Sequence, residues 1–220
     1  TIADMTMFSF HPVKHITTGE GGIITTNNRS YYEKLLLFRS HGITRDKNKL
    51  HVKDEVAYYE MQQLGFNYRM TDIQAALGLS QCKKLPHFIK KRRELAAKYT
   101  ETFNKIDCIT TPSQLENTHS SWHLYVLRFD LKKLQTTRKE IFLALQKENI
   151  GVNIHYIPVY FHPYYQRLGF KRGLCPNAEQ LYENMITIPL FPSMTEKDQE
   201  DVIRAVQKVV TYYLNKGGDV

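Results

Sequence analysis

The sequence predicts an α/β protein in two parts, and two observations lead to that prediction. From about residue 106 onward, short β-branched and aromatic runs alternate with helical runs, which is typical of an α+β unit. Before that point, a glycine turn separates two β-prone runs, and longer helical runs follow. We therefore expect a domain boundary near residue 105, with residues 1–105 and 106–220 in different domains.

The first part begins with strands. Residues 5–10 and 21–26 are β-prone runs joined by a polar loop, so each is predicted to form a strand. Ser30 is the expected N-cap of a helix that continues through Phe38. Residues 39–66 are mostly polar and irregular, and we expect them to form a functional or mobile loop.

A capping box marks the next helix. Thr71 is followed three residues later by Gln74, and an apolar-periodic run begins there. Pro86 is expected to end or kink this helix, with a further helix running to Phe103. The second part then reads as strand 122–129, helix 137–148, strand 151–156, helix 177–184, strand 186–189 and helix 195–214.

Composition excludes several classes of protein. Apolar residues make up 42% and charged residues 24%, as in ordinary globular domains. No apolar run approaches the roughly 18 residues that span a bilayer, and the N-terminal residues do not resemble a signal peptide. Three scattered cysteines, Cys82, Cys108 and Cys175, form neither a disulfide framework nor a C-x-x-C metal site. We expect a cytoplasmic protein with no metal site and no membrane partner.

The chain is basic, with 30 Lys and Arg against 22 Asp and Glu and a net charge of +8. Such a surface is compatible with nucleic acid, an anionic membrane or small anionic substrates. The one dense basic patch, residues 90–93, precedes a helix-forming run, and we interpret it as a solvated helix face.

The residues around Lys14 form the most informative motif. Lys14 lies in the predicted loop between the first two strands, next to His15 and before a glycine turn at Gly21 and Gly22. A lysine whose amine is desolvated or placed near positive charge becomes a nucleophile that can hold an aldehyde as a Schiff base. A lone loop lysine is more often a solvated surface charge, so this motif alone leaves both readings open.

The whole string from Ser9 to Gly22, SFHPVKHITTGEGG, resembles the cofactor-lysine segment of the DegT/DnrJ/EryC1/StrS family of sugar aminotransferases. That segment has the pattern S-F-x-x-x-K followed shortly by G-E-G-G. The form SFHPVK together with RSHG is most similar to the subgroup that makes pseudaminic acid precursors, which aminates C4 of a UDP-linked 4-keto-6-deoxy-N-acetylhexosamine. Four further matching segments follow in order: LFRSHG at 37–42, GFNYRMTDIQAALG at 65–78, HYxP at 155–158 and IPLFPxMT at 188–195.

The resemblance implies a fold and a cofactor. The fold would be the aspartate aminotransferase-like fold type I, with residues 1–105 as the end of the large cofactor-binding domain and 106–220 as the small C-terminal domain. Lys14 would bind pyridoxal phosphate covalently and move the proton during transamination. Ser9 would contact the cofactor phosphate, and Asn67 would reach the phosphate in the neighbouring subunit of a homodimer.

The resemblance also implies substrate contacts. The substrates would be a nucleotide sugar and an amino acid donor, most simply glutamate, and the basic surface would steer the phosphates. A loop-capping role for His11 and an ion pair with a carboxylate for Arg39 fit the sequence equally well, so a structural role stays open for both. The implied substrate-binding residues are His11, Arg39, His41, Asn153, Ile154, His155 and Tyr156.

The resemblance covers only part of the enzyme, because thirteen residues precede Lys14. In the family, the acid that pairs with the pyridine nitrogen, the group stacked on the ring and most of the phosphate cradle come from before the lysine. We therefore expect this chain to be a C-terminal part that is inactive by itself and exposes unpaired sheet edges.

Three alternatives stay open at this point. The scaffold also hosts aminotransferases for C3 or for a pentose C4, and dehydratases in which histidine replaces the lysine; the presence of Lys14 favours transamination. A nucleic-acid-binding module using residues 90–93 would need exposed aromatic residues or a recognition helix, but the tyrosines mostly lie at apolar-periodic positions, so we expect no nucleic-acid partner. A non-catalytic remnant that only oligomerises is the third, and residues 43–60 could close over the site or pack on a partner.

Overall fold

A computed structural model of the chain describes residues 2–53 and 55–216. The chain divides into two units, Thr1–Pro86 and His87–Val220. This division lies before the boundary expected near residue 105, because the second half of a long helix belongs to the core of the second unit. Leu95, Tyr99 and Phe103 on that half are almost completely buried there.

The first unit begins with a two-stranded antiparallel ribbon. Strand β1 (Thr6–Ser9) pairs with β2 (Gly22–Thr25), which confirms both predicted strands. In this register Met7 faces Ile24 and Phe8 faces Ile23. Since neighbouring residues in a strand point to opposite faces, each face of the ribbon carries one apolar pair, and all four side chains are exposed.

Helix α1 (Arg29–Arg39) follows the ribbon, but its cap differs from the prediction. Asn28, not Ser30, is the N-cap, and its Oδ1 accepts a hydrogen bond from the Tyr31 nitrogen at 3.2 Å. Asparagine is as good a cap as serine, and the helix therefore starts two residues earlier than expected.

The segment predicted as a loop contains a short ladder. Strands β3 (Ile43–Thr44) and β4 (Glu60–Met61) pair in antiparallel fashion, with Ile43 opposite Met61 and Thr44 opposite Glu60. Two-residue strands leave no periodic signal in a sequence, which explains why the prediction missed them.

Helix α2 runs from Asp72 to Phe103, so the prediction that Pro86 ends the helix and a separate one follows is wrong. Thr71 caps the helix as expected, accepting from the Gln74 nitrogen while Gln74 Oε1 accepts from the Thr71 nitrogen at 2.9 Å. A proline removes one helical hydrogen bond. Here the turns on both sides keep their own bonds, and the second half is held by burial of residues such as Tyr99.

The second unit is an α+β domain, as predicted for this part of the chain. Strands β5 (Ile109–Thr110), β6 (Tyr125–Phe129) and β7 (Met185–Ile188) form an antiparallel sheet in the order β5-β6-β7. Its helices are α3 (Arg138–Lys147), α4 (Pro163–Arg167), α5 (Pro176–Asn184) and α6 (Glu196–Lys216), with a 3-10 helix at Val159–Phe161.

The predicted strand at 151–156 is not a strand. Only Asn153 pairs, through a single antiparallel bridge to Thr187 of β7. The prediction rested on its β-branched and aromatic residues, whereas the chain leaves the sheet after one bridge and turns toward the 3-10 helix.

A buried arginine links helix α2 to two other backbone segments of this unit. Arg92 of α2 is 5% exposed, and its Nη1 donates to the carbonyls of Trp122, His123 and Leu190 at 3.1, 3.1 and 2.8 Å. Burial lowers the pKa of Arg92 from its usual value. The guanidinium thereby ties α2 to the segments that enter β6 and leave β7.

Candidate active site

The loop between β1 and β2, residues 10–21, is fixed by hydrogen bonds at its base. The Phe10 nitrogen donates to the Gly21 carbonyl at 2.9 Å, which closes the loop. The Phe10 carbonyl in turn accepts from the Thr18 nitrogen and from Thr17 Oγ1, both at 3.0 Å. These bonds give the loop one defined backbone path.

Lys14 lies at the far side of this loop. The backbone nitrogen of Lys14 donates to the His11 carbonyl at 3.0 Å, and the residue is partly buried. Ser9 Oγ accepts weakly from the His11 nitrogen at 3.4 Å, and His11 Nδ1 accepts from the Val13 nitrogen at the same distance. Ser9, His11 and Lys14 therefore belong to one short structure, and the His11 ring takes the loop-capping position foreseen as its structural role.

The RSHG and GFNY motifs lie side by side. The Tyr68 nitrogen donates to the Arg39 carbonyl at 3.0 Å, and the His41 nitrogen donates to the Phe66 carbonyl at 2.8 Å. His41 adopts a positive φ of 60°. Asn67 is exposed between the two paired residues of its own segment, so the structure brings Arg39, His41 and Asn67 into one neighbourhood.

The third group of candidates lies in the second unit. Asn153 and Thr187 exchange backbone hydrogen bonds of 3.1 and 2.7 Å, and the Ile154 nitrogen donates to Asn153 Oδ1 at 2.7 Å. His155 Nδ1 lies 2.9 Å from Thr187 Oγ1, and burial lowers the pKa of His155. Tyr156 projects outward with its ring edge-on to the His155 ring. The segment thus presents a neutral imidazole beside an exposed phenol.

Hydrogen bonds to Glu60 hold the backbone of His51 and Val52 in the polar segment 43–60. Glu60 accepts from the backbone nitrogens of His51 and Val52 at 2.6 and 3.1 Å, and its Oε2 lies 2.8 Å from His51 Nδ1. The hydrogen bond from the His51 side chain is the main cause that lowers the pKa of Glu60. Lys49 forms an ion pair with Glu33 of α1 at 2.8 Å.

Sequence reasoning missed four residues that shape these sites. Thr17 and Thr18 build the base of the Lys14 loop, Gln74 contacts that loop, and Thr187 holds the His155 ring. The two threonines before a glycine turn were visible as a pattern, since threonine hydroxyls often bond to nearby backbone. The contacts of Gln74 and Thr187 are long-range, and no local signal announces them.

Two negative findings concern the described residues, 2–53 and 55–216. They contain no helix that is long and apolar enough to span a membrane. They also contain no group of three or more His, Cys, Asp or Glu side chains placed to hold a metal ion.

Comparison with known proteins extends the picture over nearly the whole chain. A UDP-4-amino-4,6-dideoxy-N-acetyl-beta-L-altrosamine transaminase of Campylobacter jejuni is 38% identical over 203 residues, covering 92% of this chain and 51% of that protein. PseC of Helicobacter pylori, an aminotransferase involved in pseudoaminic acid biosynthesis, superposes with a TM-score of 0.84 at 34% identity, over 96% of this chain and 54% of PseC.

The protein Spr1654 of Streptococcus pneumoniae, in its PLP-form, superposes with a TM-score of 0.84 at 30% identity over 97% of this chain and 53% of its own. The chain spans about half the length of the curated relatives it matches. These likenesses confirm the predicted fold class. The model of the DegT/DnrJ/EryC1/StrS aminotransferase family matches residues 1–207, and this chain belongs to that family.

Proposed function

We propose that this chain carries the cofactor lysine of a pyridoxal phosphate-dependent aminotransferase, which moves the amino group of glutamate to the keto carbon of a 4-keto-6-deoxy nucleotide sugar. The observation that supports it most is the Lys14 loop. In this loop the Lys14 amine is carried on a hydrogen-bonded backbone, within the segment SFHPVK that resembles the family's cofactor-lysine motif. The likeness to a transaminase and to PseC supports the sugar class.

The residues present fit the cofactor. Lys14 offers an amine for an aldehyde, Ser9 offers a hydroxyl and Asn67 offers a carboxamide for a phosphate. Each lies on a backbone segment that hydrogen bonds already hold in place. When bound, pyridoxal phosphate supplies an electron sink for the bonding electrons of the donor's α-carbon.

Lys14 then has a second task, as an acid and base. Once its amine is free, it would take the proton from the donor's α-carbon and pass it to C4′ of the cofactor. That transfer needs a group that stays in reach throughout, and the bond from the Lys14 nitrogen to the His11 carbonyl keeps the backbone of Lys14 still.

The other candidates face the substrate in this proposal. Arg39 and His41 supply donors that suit the diphosphate of a nucleotide sugar, and His11 lies on the Lys14 loop itself. The segment 153–156 supplies the neutral His155 imidazole and the exposed Tyr156 phenol as hydrogen-bonding groups for the sugar. The net charge of +8 favours the approach of both anions.

Trapping the cofactor tests the role of Lys14. The purified protein is incubated with pyridoxal phosphate, reduced with borohydride, digested and mapped by mass spectrometry. We expect the phosphopyridoxyl group on Lys14, and a Lys14→Arg variant should lose it. Lys34, an exposed lysine on α1, is the internal reference, and equal labelling of Lys14 and Lys34 would overturn the proposal.

A donor assay with the full-length protein separates this reaction from dehydration on the same scaffold. The proposal requires conversion of glutamate to 2-oxoglutarate in step with consumption of the keto sugar. Consumption of the sugar without formation of 2-oxoglutarate would indicate a dehydratase instead. Turnover with a C3-keto sugar or a pentose would keep the proposed transamination and change only the assigned sugar substrate.

We further propose a cytoplasmic homodimer in which Asn67 of one subunit completes the site of the other. A mixture of the Lys14→Ala and Asn67→Ala variants of the full-length protein should then regain activity, because a mixed dimer contains one site with both residues intact. If Asn67 serves the site of its own chain, every mixed dimer lacks an intact site and the mixture stays inactive.

A further inference from the structure

The Gln74 side chain caps helix α2 and also makes a contact to the Lys14 loop that capping does not require. Its Oε1 accepts from the Thr71 nitrogen at 2.9 Å and from Thr71 Oγ1 at 3.1 Å, which completes the cap of α2. Its Nε2 donates to the Glu20 carbonyl in the Lys14 loop at 3.0 Å. Only the oxygen can accept from an N–H and only the nitrogen can donate to a carbonyl, so both partners fix the same orientation of the amide.

The Glu20 carbonyl is held from two sides. Thr18 Oγ1 donates to it at 2.8 Å from within the loop, and Gln74 Nε2 donates from the helix. A carbonyl oxygen has two lone pairs, and both are used here. The loop is therefore fixed internally by Thr18 and externally by Gln74.

Close packing places this contact against α2. Thr18 is 3% exposed, and a β-carbon on Gly78 of α2 would come within 2.9 Å of its Cγ2. A β-carbon on Gly21 would come within 2.3 Å of Thr18 Oγ1 and 2.9 Å of Met70 Cε. The loop thus sits directly on the first turns of the helix, where no side chain can be added between them.

We propose that Gln74 is a positioning residue for Lys14, which holds the Lys14 loop on the start of α2 while it caps that helix. The start of α2 follows the segment that carries Asn67, so this one amide links the two backbone segments assigned to the cofactor. The inference rests on the proposed function, in which Lys14 binds the cofactor. Its geometric basis is the set of hydrogen bonds that Gln74 makes.

A Gln74→Glu variant separates the two roles of the side chain. Glutamate is a preferred residue at this position of a capping box, so the cap is kept. The carboxylate has no N–H for the Glu20 carbonyl, so the bond to the loop is lost. Thr71→Ala is the matched control, since it removes the cap hydroxyl and leaves the amide donor, and Thr18→Ser keeps the hydroxyl that bonds Glu20.

Amide hydrogen exchange without cofactor is the first measurement. In Gln74→Glu we expect exchange in residues 10–21 to rise about fivefold to tenfold, the scale of one lost hydrogen bond, with the first turn of α2 unchanged. Thr71→Ala should affect the first turn of α2 more than the loop, and Thr18→Ser should stay near the wild type in both. Unchanged exchange of the loop in Gln74→Glu would overturn the inference.

Amine labelling gives a readout that a purely structural role would not move. The ratio of Lys14 to Lys34 modification by a small acylating reagent should rise in Gln74→Glu at an unchanged unfolding midpoint, and pyridoxal phosphate should bind more weakly. If the wild type captures no cofactor at Lys14, the proposed function fails while the exchange result still stands. Equal cofactor affinity and equal labelling in the wild type and Gln74→Glu would instead refute only the positioning role of Gln74.

Discussion

Gly65 lies so close to Gly42 that a β-carbon on Gly65 would come within 2.1 Å of the Gly42 nitrogen. A β-carbon on Gly42 would come within 1.6 Å of the Gln63 carbonyl oxygen, and Gly42 has a φ of +68°. The RSHG and GFNY motifs can run side by side only because neither has a side chain at this crossing. The glycines therefore set the spacing between His41 and Asn67.

Replacing Gly42 by alanine should be far more costly than the same change at Gly19. Gly19 also has a positive φ, of +78°, but nothing lies within 4 Å of its added β-carbon. We expect about 1–2 kcal/mol for Gly19→Ala from backbone strain alone, and more than about 4 kcal/mol or failure to fold for Gly42→Ala. Denaturant unfolding measures both, and equal costs would show that the backbone yields at the crossing.

Arg92 should matter more to the stability of the second unit than its neighbour Arg93. Arg92→Met leaves the carbonyls of Trp122, His123 and Leu190 without this donor, and we expect it to cost about 2–4 kcal/mol. Arg93→Met removes exposed bonds to the carbonyls of His119 and Ser120, and should cost less than about 1 kcal/mol. If the two variants unfold at the same denaturant concentration, the carbonyls find other donors.

The contacts of Glu60 should respond to acid. Because the pKa of Glu60 is lowered in the folded chain, its carboxylate stabilises the fold above the ordinary glutamate pKa, and this contribution is lost as the pH falls through the lower folded value. The protection factors of the His51 and Val52 amides, corrected for intrinsic exchange at each pH, should therefore fall in acid. A Glu60→Gln variant should show lower protection factors that no longer change with pH in this range.

His155 should titrate below an ordinary histidine. Burial lowers its pKa, so the unfolded chain takes up the proton first, and stability is lost as the pH falls through the folded pKa. NMR of the imidazole protons measures that midpoint, and a His155→Gln variant should remove this part of the pH dependence of unfolding. A midpoint at or above the usual histidine value would contradict the buried, neutral ring.

Local signals in the sequence predicted most of the elements that position the Lys14 loop. The β-prone runs that form β1 and β2 and the Thr71 capping box are short-range patterns, and the structure contains them. Pro86 shows where such reasoning fails. A proline's local cost is visible in the sequence, whereas the burial of residues such as Tyr99, which holds the second half of α2 in place, is tertiary.

The sequence suggested candidate residues for the site but not the contacts that hold them. The resemblance of residues 9–22 to a family segment suggested the Lys14 amine and the Ser9 hydroxyl, because that segment is local in the sequence. The second partners were hidden, since Gln74 meets Glu20 across 54 positions and Thr187 meets His155 across 32. A capping residue is fully explained by its own helix, so nothing suggests a second contact.

Neither face of the ribbon formed by β1 and β2 is buried within this chain. Met7 and Ile24 cover one face, Phe8 and Ile23 cover the other, and all four are exposed in this chain. A screen scored on soluble yield will therefore reward polar replacements at these positions, regardless of their effect on catalysis. Variants chosen for crystallisation or large-scale production should keep the four apolar side chains and be ranked by cofactor capture at Lys14.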